Sequence, residues 1–233
     1  PTDRSFTADE LHVRLLGYLR MYGLTLDCVD EIAFAGVVPQ LTREWRAFAQ
    51  RIAARSIAVG ADTAAVTCIH APHPEEVGAD RIANAVAAEK LYGAPSIVVD
   101  FGTATNIDVV DSDGYYIGGA IAPGLRISMD ALVARAARIA SIPLETPPHA
   151  IGRTTEEAVQ SGAVLGTAAM VEGLVSRIRA ELGAPEARVI ATGGLANIVA
   201  DSTNVFDVVD GQLTLKGICE IARRMRDRVP RSA

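Results

Sequence analysis

The chain has 233 residues, 49% of them hydrophobic and 21% charged, with a formal net charge of −6. Such a length holds one large domain or two small ones, and such a composition excludes a largely disordered chain. The acidic balance argues against nucleic-acid binding, which uses a basic face, and the uninterrupted apolar runs fall far short of the roughly 20 residues of a membrane-spanning helix.

Pro1-Thr2-Asp3-Arg4 shows neither an initiating Met nor the basic-then-apolar pattern of a secretion leader, which leaves open whether the protein begins at Pro1. Thr7-Ala8-Asp9-Glu10 is a capping box and predicts a helix over 8–22, with Leu11, Leu15, Leu16 and Leu19 on one face and Gly23 at its end. Residues 31–38 read as a buried strand, Pro39 as the first position of a helix reaching about 55, and 56–70 as two short strands. Pro72-His73-Pro74 is a loop, and an alanine-rich helix over 79–92 closes at Gly93. From Pro95 the period changes. Strands are expected over 97–101, 105–111 and 115–121, joined by Gly102-Thr103 and by a hairpin turn at Asp113-Gly114. Such a meander excludes a simple dinucleotide-binding fold, where a helix follows the first glycine-rich turn. Helices over 125–139 and 155–182, a strand over 188–191, a short helix, a strand over 205–208 and a helix over 214–227 complete the chain. The arginine-rich stretch 223–231 reads as a solvated helix end and tail. The pattern is α/β throughout, with a boundary near Pro95 dividing 1–94 from 95–233.

The polar residues narrow the chemistry. Of 22 basic residues only Lys90 and Lys216 are lysines, and neither follows a Walker-type glycine loop, so that phosphate cradle is excluded. Cys28, Cys68 and Cys219 are far apart and form no Cys-x-x-Cys, which fits a reducing cytoplasm. His70 and His73 could approach one metal, but no third ligand stands near them, and a solvated loop is the simpler reading.

Five stretches carry candidate chemistry. Asp100-Phe101-Gly102-Thr103-Ala104-Thr105 ends an apolar strand with a carboxylate, which is costly to bury unless it meets a cation or donors. A strand–Asp-Gly-Thr–strand hairpin is how actin-like ATPases hold nucleotide phosphates and a cation, although a polar hairpin turn would use the same residues. Thr192-Gly193-Gly194 follows a strand and precedes a helix, where a flat ligand could lie against bare backbone or a plain turn could form. Gly78-Ala79-Asp80-Arg81 opens a helix, whose dipole keeps Asp80 ionised, while Arg81 offers a fork for a carboxylate. That pair suits phosphoryl transfer to a hydroxy acid, and equally an acid and base paired at a helix start. Gly118-Gly119-Ala120-Ile121-Ala122-Pro123-Gly124 is either a ligand contact or a tight connection. In Ile151-Gly152-Arg153-Thr154-Thr155, Thr154 or Thr155 could simply cap the following helix.

Taken together, these stretches resemble the type III pantothenate kinases over nearly the whole chain. The specific part is Gly-Ala-Asp-Arg at 78–81, then Asp-Phe-Gly-Thr-Ala-Thr at 100–105, then Gly-Gly-Ala-Ile-Ala-Pro-Gly at 118–124. The resemblance implies two ribonuclease-H-like (actin-like ATPase) domains with mixed sheets, assembled as a homodimer in the cytoplasm. It implies ATP-dependent phosphorylation of pantothenate, the first step towards coenzyme A, with a divalent cation (Mg) and a monovalent one (K or NH4). It assigns Asp80 as the general base, Gly78, Ala79, Asp80 and Arg81 to the substrate site, and Thr155 to pantothenate held by the partner subunit. It assigns Asp100 to the monovalent cation, Gly102 and Thr103 to ATP phosphate, and Thr192, Gly193 and Gly194 to the adenosine side of ATP. No nucleic-acid or membrane partner is implied.

The sequence departs from that family in several places. The family opens on a strand ending in Asp-x-Gly-Asn-Thr, the first phosphate turn, and no such motif precedes the helix at 8–22. The first domain is therefore expected to lack its N-terminal hairpin and half its phosphate grip. A family Gly-x-Lys/Arg-Thr-Gly segment falls on Asp62-Thr63-Ala64-Ala65-Val66, a pantothenate-contacting Tyr falls on Ala71, and Asn106 stands where Thr is usual. Beside an active kinase, two readings stay open: a kinase-impaired homologue acting through protein contacts, and a kinase for another small hydroxy acid.

Overall fold

The computed structural model describes residues 6–53, 55–60, 63–135 and 142–228. Helix α1 (Ala8–Met21) begins at the expected capping box, with the Glu10 amide donating to the Thr7 hydroxyl at 3.3 Å and the Thr7 amide donating to Glu10 Oε2 at 2.8 Å. Its buried Ala8 and Leu11 pack with Phe48 and Ala49 of α2 (Pro39–Ile52). Beneath them, β1 (Glu31–Phe34) pairs in parallel with β2 (Arg55–Ala58). The first strand stops at Phe34, short of the expected Val38. A Cβ on Gly36 would stand 2.2 Å from the Thr42 hydroxyl, which itself donates to the Val38 carbonyl, so 35–38 is bent into the start of α2.

The stretch 56–70 holds one strand, β2, rather than two. The Thr63 hydroxyl both donates to the Gly60 carbonyl and accepts from its amide, which closes a turn. A short helix α3 (Ala64–Thr67) follows, Cys68 takes a left-handed conformation, and Ile69 forms a lone bridge beside Tyr116. Asp62 lies outside the described residues.

The larger sheet contains β3 (Ser96–Phe101), β4 (Ala104–Val110), β5 (Tyr116–Pro123), β6 (Arg188–Thr192) and β7 (Val208–Val209), in the order β5-β4-β3-β6-β7. The first three form the expected antiparallel meander, and β6 and β7 run parallel to β3. Both faces of the parallel strands are covered, so Ile97, Val98 and Val99 and, beside them, Val189, Ile190 and Ala191 are fully buried. The last strand is shifted to 208–209, because Val205 and Phe206 instead turn their side chains onto the core.

One face is covered by a long helix over Thr155–Leu182, whose Val164, Ala168, Val171 and Val175 pack on Ile97, Val99 and Val189. Three segments compose it: α6 (Thr155–Gln160), a π-helical turn (Ser161–Leu165) and α7 (Gly166–Leu182). By length and composition this helix is long and apolar enough to cross a bilayer, and one face of it packs on the sheet. Helix α5 (Leu125–Arg135) precedes it, and the expected continuation over 136–139 lies outside the described residues. Helix α8 (Ala196–Ala200) packs Ala196 and Val199 into the same core.

The other face is covered by α4 (Ala79–Tyr92), where Ala87 and Ala88 meet Val98, Ile190 and Leu213 of α9 (Leu213–Arg228). The arginines of α9 are not all solvated, as the sequence suggested. Arg224 is paired with Glu89 on α4 and Glu220, and Arg226 with Glu31 on β1, which ties the last helix to α4 and to the smaller sheet; residues 229–231 lie outside the described ones.

Helices α4 and α9 touch backbone to side at Gly217, where a Cβ would stand 1.9 Å from the Ala83 carbonyl. Gly217→Ala is therefore expected to push the helices apart and destabilise the protein by about 1–3 kcal/mol, read as a lowered urea midpoint. An unchanged midpoint would mean that the contact yields freely.

Candidate active site

The first two turns of α4 lie across the inner face of β3 and β4. Gly78 caps the helix, and a Cβ there would stand 2.7 Å from Asp80 Oδ1, so a side chain at the capping position would displace the Asp80 carboxylate. Half-buried Asp80 accepts the Arg81 amide on Oδ1 at 2.9 Å. Arg81 and Asn84, three residues apart, share the face turned to the sheet. Arg81 Nε donates to Asp108 Oδ1 on β4 at 2.7 Å, and Asn84 Nδ2 donates to Asp100 Oδ2 on β3 at 3.0 Å. Asn84 is fully buried, and its carbonyl accepts the Thr214 hydroxyl of α9 at 2.7 Å.

The other half of the site is the end of the parallel strands. Asp100 on β3 is in register with Thr192 on β6, so both chain turns leave the sheet side by side. Gly193 has φ +94°, and a Cβ on it would stand 2.5 Å from Asp100 Oδ1 and 2.6 Å from the Phe101 carbonyl. Gly102 lies on the opposite flank, with its Cβ position 3.6 Å from the same oxygen. Asp100 Oδ1 thus sits in a cradle of bare backbone, while Oδ2 is held by Asn84. Gly124 closes against this turn, since a Cβ there would stand 2.1 Å from the Thr103 carbonyl. Gly102, Thr103 and Gly194 are exposed, and Thr192 is buried.

Three carboxylates, Asp80, Asp100 and Asp108, feel one another's charge here. Burial pushes Asp100 up from the ordinary carboxylate range, the Asn84 hydrogen bond opposes that, and the Asp80 charge adds to it. Burial raises Asp108 from 3.8 to about 6 despite the Arg81 guanidinium beside it. Tyr116 on β5 is pushed up to about 12 by burial and by the neighbouring Asp108 charge.

The structure brings together 78–81, 100–103 and 192–194, which are far apart in sequence. It does not bring Thr155 to them within one chain. Thr154, not Thr155, caps α6 by accepting the Glu157 amide at 3.1 Å, and Thr155 is exposed. Gly118 and Gly119 line a separate groove of about 330 Å³ with Leu174 and Ile178 of α7. Gly119 stands there because a Cβ would fall 1.7 Å from the Ile107 carbonyl, so this part of the glycine-rich stretch is a tight connection. His70 stacks on Tyr115 at 4.1 Å, apart from His73, which joins exposed Glu75 and Glu76 instead. Ala71 packs in a small cluster with Val77, Ala85, Val110 and Tyr116.

Asn84, Asp108, Tyr116 and Thr214 were not singled out from sequence. Signals existed for two of them. Asn84 follows Asp80 by one helical turn in an alanine-rich helix, and Asp108 is a charge at an inward position of an apolar strand.

The sequence profile of the family described as type III pantothenate kinase matches residues 1–177. A type III pantothenate kinase from Thermomicrobium roseum is 49% identical over 226 residues, covering 96% of this chain and 86% of that protein. One from Paramagnetospirillum magneticum is 44% identical over 96% of this chain and 86% of its own length, and one from Streptomyces coelicolor 45% over 93% and 85%. A solved structure of a Baf family protein from Campylobacter jejuni shares the fold, with TM-score 0.60 and 18% identity over 85% of this chain and 84% of that one.

The raised Asp108 makes a prediction of defined sign. The native state keeps a proton on it up to about pH 6 that the unfolded chain releases near 3.8. Its contribution to stability is therefore full below about pH 4 and lost as pH rises through about 6. Relative to Asp108→Asn, the unmodified protein should lose stability between these limits, followed by urea unfolding. A wild-type-minus-variant difference that stays flat with pH counts against the assignment.

Proposed function

The chain belongs to the type III pantothenate kinase family, and from that premise we infer how its residues carry out the reaction. The reaction is transfer of the γ-phosphoryl group of ATP to the hydroxyl of pantothenate, giving 4′-phosphopantothenate and ADP, the first step of coenzyme A synthesis. The observation that carries the assignment of roles is the meeting of the first turn of α4 with the two glycine turns around Asp100. Phosphoryl transfer asks a protein for positioning and charge compensation more than for covalent chemistry.

Asp80 takes the proton of the pantothenate hydroxyl as its oxygen bonds to phosphorus and the bridging bond to ADP breaks. Its amide contact with Arg81 fixes one oxygen and leaves the other for that proton. Gly78, Ala79 and Arg81 line the substrate side, and the terminal nitrogens of Arg81 clamp the pantothenate carboxylate. Gly102 and Thr103 face the phosphates, and Thr192, Gly193 and Gly194 lie along the adenosine. Asp100 Oδ1 would hold the monovalent cation: a hard oxygen donor in a cradle that a Cβ would fill suits potassium or ammonium. When bound, that ion and the divalent cation supply positive charge at the phosphates. Three carboxylates against one guanidinium call for such charge before a polyanion can enter.

Thr155 serves the site of a partner subunit. It starts the long helix whose outward face carries exposed Gly162, Gly166 and Gly173, with open space at each Cβ position, a surface that another backbone can approach closely.

Asp80→Asn should lower kcat by about 10²-fold or more in an ADP-release assay with ATP, magnesium, potassium and pantothenate. Unchanged turnover removes Asp80 from the role of base. Asp100→Ala should abolish activation by potassium, and activation that persists places the ion elsewhere. The chain should sediment as a dimer of its 24.5 kDa unit, and a monomer that turns over would take Thr155 out of the site.

A further inference from the structure

We propose that Asp108 aims Arg81 at the substrate carboxylate and thereby sets the preference for the hydroxy acid over its uncharged analogue. This rests on the clamp role given to Arg81 above. A guanidinium binds a carboxylate best through two parallel N–H groups, so its plane has to be fixed before the substrate arrives. Two contacts fix it. Nε is committed to Asp108 Oδ1 at 2.7 Å, and Cζ lies 5.7 Å from the centre of the Tyr116 ring. Neither terminal nitrogen is hydrogen-bonded among the described residues, so the pair remains available.

Asp108 is poorly explained as a stabilising group. It is 0% exposed, its polar neighbours are Arg81 and the Tyr116 hydroxyl, and apolar residues of similar volume are often as stable as a buried ion pair. The groups that face it are Asp80 and Arg81 from α4, Asp100 from β3 and Tyr116 from β5, and Arg81 is the cation among them. A carboxylate kept there at such cost holds the arginine in one orientation. Arg81 can therefore stand at the mouth of the site, 15% exposed, without swinging into solvent.

The test compares kcat/KM for pantothenate and for pantothenyl alcohol, in which –CH2OH replaces the carboxylate, using the full chain at saturating ATP. Arg81→Ala should lose the preference for the acid. Asp108→Ala should reduce that preference by about tenfold or more, with the loss in KM for pantothenate rather than in KM for ATP. Asp108→Asn keeps an acceptor for Nε and should fall between, and it carries the test if the alanine variant does not fold. A preference lost in Arg81→Ala but intact in the folded Asp108 variants overturns the proposal and leaves the clamp standing. A loss that is equal for acid and alcohol makes Asp108 merely structural and also overturns it. A preference that survives Arg81→Ala overturns both.

Discussion

The site depends on one constraint: buried carboxylates at the inner face of a sheet have to be answered by the helix that covers them. Helix α4 does this with two side chains one turn apart. Asn84 answers Asp100, and Arg81 answers Asp108. Without them the polar end of an otherwise apolar sheet would carry negative charges in a poorly solvated place. The alanines that follow let the rest of α4 settle closely on Val98 and Ile190, which holds its first turn over the strand ends.

Sheet topology supplies the second half. Because β3 and β6 are parallel neighbours in register, the turns after Asp100 and after Thr192 emerge together. Glycine is required at 193, since the backbone there is left-handed and a side chain would collide with Asp100 itself. The α9 helix locks this arrangement from behind, through Thr214 to Asn84 and through Gly217 against Ala83. A contact 130 residues away in sequence thus reaches the proposed cation ligand through one asparagine.

The electrostatics of the site follow from the same geometry. Asp100 and Asp108 are both raised by burial, and one guanidinium stands among three acids. A scarcity of lysine would look like a defect in an enzyme that handles a nucleotide polyanion. Cations held at the Asp100 turn, as proposed above, would supply the positive charge that lysines do not.

Much of this was legible from residue order. The capping box at Thr7, the full span of α4, the meander after Pro95, and the motifs at 78–81, 100–103 and 192–194 are local patterns, set by hydrogen bonds and turn chemistry within a few residues. The family followed from those motifs. Tertiary structure alone decided the rest: that β1 ends at Phe34, that 64–67 is a short helix instead of a strand, that Arg224 and Arg226 bind acids across the molecule, and that Asn84 and Asp108 belong to the site. Their roles come from contacts between segments remote in sequence, and an Asn in an alanine-rich helix or an Asp in a strand acquires meaning only when packing sets another buried polar group against it.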